Sequence, residues 1–464
     1  MSLRGWEAHG EAVERLRASY AAVPVGAPVR LAKKTSNLFR PRAATSAPGL
    51  DVSGLDGVIA IDPDARTADV QGMCTYEDLV DATLAHGLIP HVVPQLRTIT
   101  LGGAVTGLGI ESTSFRLGFP HESVLEMDVF TGAGEVVTCR PGPDGEHSDL
   151  FDTFPNSYGS LGYATRLRIS LIEVPDRVAL RHVRFDDAEL LAKSVQEIAE
   201  TAAYDGEVVD ALDGVAFGPG EYYLTLARWV PTGSTTEEPS DYTGQDIFYR
   251  SIQQRGSAGS GGDLLTTYDY LWRWDTDWFW CSGAFGVQNP RIRRLWPRRW
   301  RRSDVYHKLV ALDRRYGIVD RIDRRKGRPL RERVIQDIEV PVERLPEFLE
   351  WFDDVVGMRP VWLCPCRALR DWPTYPLAPD RLYVNVGFWG TVHRGPDALE
   401  GPLNRAIEAK VHELGGHKSL YSEAFYDRAT FDELYDGANL AAVKERYDPD
   451  NRLTSLYDKA VKRQ

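Results

Sequence analysis

Two stretches of the sequence hold residue types that grip an anion through the backbone. LGGAVTGLGIESTS (101–114) places Gly102, Gly103, Gly107 and Gly109 within eight residues, with Thr106 and Ile110 among them, then adds hydroxyls at Ser112, Thr113 and Ser114. Glycines let a backbone come close to a ligand, and the hydroxyls can donate to a phosphate or a ring carbonyl. KKTSNL (33–38) follows a strand-like stretch, Val29 to Ala32, and joins Lys33 and Lys34 to Thr35, Ser36 and Asn37. Successive N–H groups in such a turn form an anion nest. Either stretch alone reads more often as a plain turn. No G-x-G-x-x-G follows a strand, so the usual dinucleotide fingerprint is absent.

Candidates for proton transfer are fewer. Glu111 sits inside the glycine run, and HKSLYSEAFYD (417–427) carries His417, Lys418, Tyr421 and Glu423. On a strand, alternate residues share a face, which would point Tyr421 and Glu423 the same way. The bland alternatives are that Glu111 accepts backbone N–H bonds and that Glu423 is a solvated acid beside a half-buried tyrosine. Five cysteines, at 74, 139, 281, 364 and 366, match no zinc or redox spacing. They read as reduced thiols of a cytoplasmic protein, and no metal site is expected.

Residues 268–302 (YDYLWRWDTDWFWCSGAFGVQNPRIRRLWPRRWRR) hold six of the twelve tryptophans, and seven arginines fall between 291 and 302. Tryptophan and arginine together suit a membrane interface, with rings at headgroup depth and cations on lipid phosphates. Trp278, Trp280, Trp296, Arg298, Arg299, Trp300, Arg301 and Arg302 form that candidate patch. The alternative is that the tryptophans line a core and the arginines pair with the surplus acids. A second basic run, 321–333, could extend the patch or bind a nucleotide 2′-phosphate.

The elements that must position these residues follow from periodicity. Residues 7–22 read as an amphipathic helix, 57–71 as two strands about a turn, and 75–87 as a helix capped by Thr75 and ended by Gly87. Strands are expected at 124–130, 135–139 and 159–174. Farther on, strands (181–185, 221–230, 334–340, 382–388) alternate with helices (188–203, 342–356, 402–414), as in an antiparallel sheet with helices on one side. SAGSGGD (257–263) reads as a linker. The chain has 464 residues, 43% hydrophobic and 26% charged, the mix of a soluble globular protein. Its net charge of −12 speaks against a general nucleic-acid binder. No signal peptide and no bilayer-spanning apolar run is visible.

The order of these motifs is itself specific: a basic loop, a helix, LGGAVTGLGIESTS, a strand pair about TGAGEVV, then SDLF, YGSLGYAT, WLCP (362–365), LY (420–421) and a late YDPDNRL. It resembles the FAD-binding (PCMH-type) vanillyl-alcohol oxidase superfamily and, within it, the sterol Δ24-reductase family. The resemblance covers nearly the whole chain, without the N-terminal membrane segment of animal members. It implies an α+β protein: a two-subdomain FAD-binding domain at 20–176 after an N-terminal helix (1–19), an antiparallel-sheet cap domain with helices at 177–430, and a C-terminal segment (431–464) that returns to the cofactor. It places Lys33, Lys34, Thr35, Ser36 and Asn37 at the pyrophosphate. It places Gly102, Gly103, Thr106, Gly107, Gly109, Ile110, Glu111 and Ser112 around flavin and phosphates, with Gly159, Ser160 and Gly162 beside them. Covalent members carry a histidine in the glycine run; this run has none, which implies non-covalent FAD.

The implied reaction is reduction of an isolated C=C in a lipid, with NADPH as donor. Such an alkene has no carbonyl to accept charge, so a proton must arrive with or before the hydride, in a dry apolar site holding one acid. Glu111, Tyr421, Glu423 and Lys418 are the expected catalytic residues. A bacterial 10-methylene fatty-acyl chain is favoured as substrate over a sterol side chain, with a SAM-dependent methyltransferase as an upstream partner and the inner face of an anionic membrane as the workplace. The rivals are a sugar-alcohol or aldonolactone oxidase and a non-catalytic lipid-docked flavoprotein. No nucleic-acid partner is expected.

Overall fold

The computed structural model describes residues 3–33, 39–40, 49–233, 238–244, 246–257, 262–316, 321, 325, 331–393 and 401–463. An N-terminal helix, Gly5–Ala21, buries Ala12 and Leu16. A short parallel pair follows, β1 (Arg30–Leu31) with β2 (Gly49–Leu50). Then comes an antiparallel sheet of β3 (Val58–Asp62), β4 (Thr67–Gln71), β5 (Leu88–Pro90), β6 (Val124–Phe130), β7 (Val136–Cys139) and β8 (Tyr163–Glu173). Its order is β3-β4-β8-β6-β7, with β5 also on β8. The helix Tyr76–Thr83 begins where the Thr75 side chain accepts from the Asp78 N–H, and it runs out through a tight turn at Gly87, whose φ of 69° suits glycine.

The chain leaves β8 at Glu173 and enters a second sheet at Arg177. That sheet comprises β9 (Arg177–Phe185), β12 (Ala211–Gly218), β13 (Glu221–Val230), β14 (Gly262–Thr266), β15 (Arg331–Pro341), β16 (Val361–Cys366), β17 (Tyr383–His393) and β18 (His417–Lys418), beside a small separate hairpin of β10 (Ala203–Tyr204) and β11 (Glu207–Val208). The order is β14-β9-β13-β12-β16-β17-β15-β18, antiparallel throughout. Helices Ala188–Thr201, Leu345–Val355 and Pro402–Glu413 cover one face, packing Leu191, Phe348, Phe352 and Ile407 onto Leu212, Leu224, Ile338 and Val386. The other face meets the first domain. This is the expected α+β class with an antiparallel cap sheet.

Two expectations change. The glycine run is not a loop: Leu101–Gly107 winds as a helix, begun by the Thr100 side chain accepting from Gly103 N–H at 3.2 Å. Residues 417–427 are not a strand beyond Lys418, because the chain turns at Leu420 and Tyr421. Strands β12 and β16 escape periodicity, since ALDGVAFG and VWLCPC carry Gly, Asp and Pro that usually mark loops.

The seam between the domains is hydrogen-bonded. Leu212 N–H donates to the Ser112 carbonyl at 2.7 Å, and Arg367 N–H to that of Ser114 at 3.2 Å. Glu122 accepts from Leu369 N–H at 2.6 Å and the Trp372 indole at 2.9 Å. The C-terminal segment also folds back onto the first domain. Asn439 donates to Thr153 (2.8 Å), Tyr447 to Asp149 (2.8 Å), Arg452 to the Ala27 carbonyl (3.1 Å) and Lys459 to the Gly159 carbonyl (2.7 Å).

Candidate active site

A cavity of about 720 Å³ runs along this seam. One wall is the backbone of the glycine helix and its exit, Gly102, Gly103, Thr106, Gly107, Gly109 and Ile110, with Gly159 and Gly162 beside them. Gly162 has φ of 145°, and a Cβ there would meet the Phe130 carbonyl oxygen at 2.7 Å, so the backbone itself must form this wall. The segment 94–100 closes another side through Pro94, Gln95, Leu96, Thr98, Ile99 and Thr100. Among the described residues that line the cavity, Arg30, Lys33, Arg40 and Lys459 stand against a single carboxylate, Asp337. Four cations to one acid, in a chain of net charge −12, mark the cavity for an anion.

The cap contributes an aromatic end. Trp278, Phe279, Trp362 and Trp389 line it with Phe39. Phe279 stacks on Trp389 with centroids 4.3 Å apart, and Phe39 stacks on Trp278 at 5.7 Å. Trp278 (φ 46°) and Phe279 (φ 60°) both take left-handed backbone, which costs bulky residues about 1–3 kcal/mol each. A buried frame holds them. Arg293 donates to both Asp277 oxygens (2.7 and 3.0 Å), and Asp213 accepts from Arg273 (2.9 Å) and from the indoles of Trp274 (2.9 Å) and Trp362 (3.2 Å).

One acid couple faces this end. The Tyr421 hydroxyl accepts from the Trp389 indole at 2.9 Å, and Tyr421 and Asp337 line the cavity together, each shifting the other's titration. Asn385 donates to Asp337 at 3.2 Å. Burial pushes the Asp337 carboxyl up to about 6, against the pull of Asn385 and Tyr421. Glu339, two positions along β15 and so on the same face, is pushed up to about 8 by burial and by Asp337. Burial also drives the Tyr421 hydroxyl well above its ordinary value.

The other expected residues are distributed differently. Lys33 lines the cavity; Lys34, Thr35, Ser36 and Asn37 lie outside the described residues. Glu111 does not reach the cavity wall: its carboxylate meets Arg273 at 3.0 Å, in a fully buried cluster where burial pushes it up. Ser112 bonds Tyr270 at 2.8 Å, and its carbonyl serves the seam. Ser160 is buried off the wall. Lys418 pairs with Glu408 at 2.5 Å, and Glu423 with Arg463 at 3.1 Å, both away from the cavity. The turn at 420–421 separates Tyr421 from Glu423, which a strand would have aligned.

The expected lipid patch divides in the same way. Trp278 is buried in the cavity wall, and Trp280 is half-buried against Trp389. Arg301 is buried with its guanidinium on the carbonyls of Gly244, Arg293 and Trp296, while Arg302 pairs with Glu77 (2.7 Å) and Asp304 (3.1 Å). Trp296 is half-buried, and Arg298, Arg299 and Trp300 remain exposed. The residues 258–261 of the linker and most of the second basic run lie outside the described residues.

Periodicity missed Asp337 because β15 alternates Val334, Gln336, Ile338, Val340 against Ile335, Asp337, Glu339. That pattern reads as a sheet with one wet face. The usable signal was two acids on a face whose neighbouring strand, β17, carries Asn385 and Trp389.

Residues 11–140 match the FAD binding domain family. The chain carries a PCMH-type FAD-binding domain. It is similar to Delta(24)-sterol reductase of Arabidopsis thaliana, 22% identical over 458 residues that cover 89% of this chain and 76% of that protein. The human Delta(24)-sterol reductase is 24% identical over 421 residues, covering 87% and 76%. Cytokinin dehydrogenase 7 of Oryza sativa subsp. japonica is 36% identical over 145 residues, 30% of this chain and 27% of that protein. Together these matches give the chain an FAD-binding domain and a low-identity similarity to Delta(24)-sterol reductases over most of its length. The cavity fits the group. Its volume lies in the range of cofactor sites, its cations suit a pyrophosphate, its glycine backbone admits close approach, and its aromatic end suits a flat ring. No helix among the described residues is long and apolar enough to cross a membrane.

Proposed function

We propose that this protein reduces an isolated C=C of a lipid, with a 10-methylene acyl chain as the preferred substrate and a sterol side chain as its competitor. The observation that carries this reading is the aromatic end of the cavity with one acid couple, Tyr421 and Asp337. An oxidase of sugars needs a polar pocket and a base, whereas four aromatic rings supply a dry one. Held by Lys33, Arg40 and Lys459 and by the glycine wall, non-covalent FAD would supply the hydride, with NADPH as its reductant.

The residues would supply the proton. With Asp337 protonated, the Tyr421 oxygen accepts from both Asp337 and the Trp389 indole, so its own hydrogen turns to the cavity. Tyr421 then protonates the less substituted alkene carbon while Asp337 refills it. The tertiary cation that results lies among ring faces, which stabilise positive charge. With Asp337 ionised, Tyr421 donates to it and the cavity holds no acid. One alkene, one proton and the hydride of one NADPH give one alkane and NADP⁺.

The test is anaerobic turnover of FAD-loaded protein with NADPH on a panel of methylene-acyl lipids and sterols. Consumption of NADPH with formation of the saturated lipid is expected, with solvent deuterium on the less substituted carbon. Hydrogen peroxide from a sugar alcohol in air, with no lipid reduction, would establish the oxidase instead.

A further inference from the structure

One short stretch of the described surface holds a cluster of exposed apolar side chains. Among the described residues eleven large hydrophobic side chains stand exposed, and three fall within nine residues: Ile292 (43%), Leu295 (84%) and Trp300 (47%). They sit on the short helix Pro290–Leu295 and the turn Arg298–Trp300 after it. Arg291, Arg294, Arg298 and Arg299 are exposed among them. Among the described residues no carboxylate lies within ion-pair distance of Arg291, Arg294 or Arg299, and Arg298 reaches Asp241 only at 3.8 Å. In a chain with twelve more acids than bases, a cluster in which three of four exposed arginines lack an acid partner among the described residues needs a reason.

The two buried arginines of the stretch show what the exposed ones are not for. Arg293 clamps Asp277, and Arg301 holds the Arg293 and Trp296 carbonyls. Arg302 pairs with Glu77 and Asp304, so the fold uses these three. The Trp296 indole also donates to the Trp300 carbonyl at 3.2 Å, which keeps the patch in shape.

We infer that this patch docks the protein on an anionic lipid bilayer. Three large apolar side chains between cations match a surface that is charged outside and apolar just beneath. Each arginine near such a surface contributes about 1 kcal/mol at low salt, and tryptophan prefers headgroup depth. A nucleic acid would use the cations but gives Leu295 nothing to enter. The docking stands without the proposed reaction. It would still serve that reaction, because Asp277, which Arg293 clamps, adjoins Trp278 of the cavity wall.

Co-sedimentation of the FAD-loaded protein with vesicles of phosphatidylcholine alone, or mixed with phosphatidylglycerol, tests it. Binding is expected only with phosphatidylglycerol. A variant with Arg291, Arg294, Arg298 and Arg299 changed to Gln should bind at least about tenfold more weakly. Leu295→Ser with Trp300→Ser should also weaken binding, at unchanged charge. Both should keep bound FAD and reduction by NADPH in solution, so a docking failure is separable from a failed enzyme. No preference for phosphatidylglycerol, or wild-type binding by the four-arginine variant, would overturn the inference. So would a Leu295/Trp300 variant that binds like wild type while the protein also retains a single-stranded oligonucleotide, since that is generic polyanion binding.

Discussion

Trp389 donates its indole N–H to the Tyr421 hydroxyl at 2.9 Å. A phenol has one hydrogen and two lone pairs, so this bond fills one acceptor position and leaves the direction of the Tyr421 hydrogen to Asp337. A residue on the cap strand β17 thereby sets the hydrogen-bonding state of a residue in a turn 32 positions farther along the chain, in the same cavity as the glycine wall.

Tyr421→Phe removes the relay atom, and Asp337→Asn its proton. Each should lower lipid reduction by about 10²–10⁴-fold while the protein still binds FAD and bleaches with NADPH. Stopped-flow spectra separate the two half-reactions. Full turnover in both variants would remove the couple from the reaction.

In the proposed reaction the acid form of Asp337 would be the active one, and its carboxyl is pushed up to about 6. Turnover should therefore be level below that pH and decline above it, tenfold per unit where one group governs. The pH profile of turnover at saturating lipid checks the sign. A rise with pH would mean a base acts instead, as in the oxidase reading.

Glu111→Gln should cost stability rather than chemistry, because Glu111 touches Arg273 and not the cavity. Its melting temperature should fall while turnover of the folded fraction stays within a few-fold of wild type. Asp213→Ala strips Arg273 and two indoles of their shared acceptor, and should destabilise by about 3 kcal/mol or more. Chemical denaturation with FAD absorbance as the folding signal measures both.

Glu339 should make the protein less stable as pH rises from about 4 to about 8. Its carboxyl is pushed up to about 8, above the unfolded value of about 4.3. The neutral form is thus favoured by folding, and that stability is present at low pH and lost as pH rises towards 8. Glu339→Gln should melt higher relative to wild type at pH 8.5 than at pH 5. Parallel melting curves at the two pH values, with no difference in the gap, would contradict this.

The described residues that line the cavity include neither histidine nor cysteine. Acid precipitation should leave the yellow colour in the supernatant and the pellet white.

Much of the frame could be read from the sequence because it depends on local rules. The 75–87 helix has its Thr75 cap and Gly87 stop, and β3 with β4, β6 and β8 show their apolar alternation. The glycine run pointed to the cavity wall, though its helical form did not show, because glycine lowers helix propensity and the bonds of Leu101 and Gly102 N–H to the Cys74 and Gly72 carbonyls, with the Thr100 cap, support it. The acid couple was half visible. Tyr421, singled out in the sequence, lies on the cavity wall; Asp337 beside it was not singled out, because its meaning depends on β17 lying next to β15 and on the first domain covering that face. The arginines of 291–302 divided into buried clamps and exposed cations only once Asp277 and the carbonyls of that stretch were brought near.

The cofactor domain is closed by residues made near the far end of the chain. Arg452 holds the Ala27 carbonyl, and Lys459 holds those of Tyr158 and Gly159, at the rim of the cavity. During synthesis the glycine wall therefore forms long before its last supports exist. A ribosome-bound chain stalled before these residues would lack those supports and should hold a flavin less tightly than the full chain. Tight loading with flavin then reports that translation has passed this point.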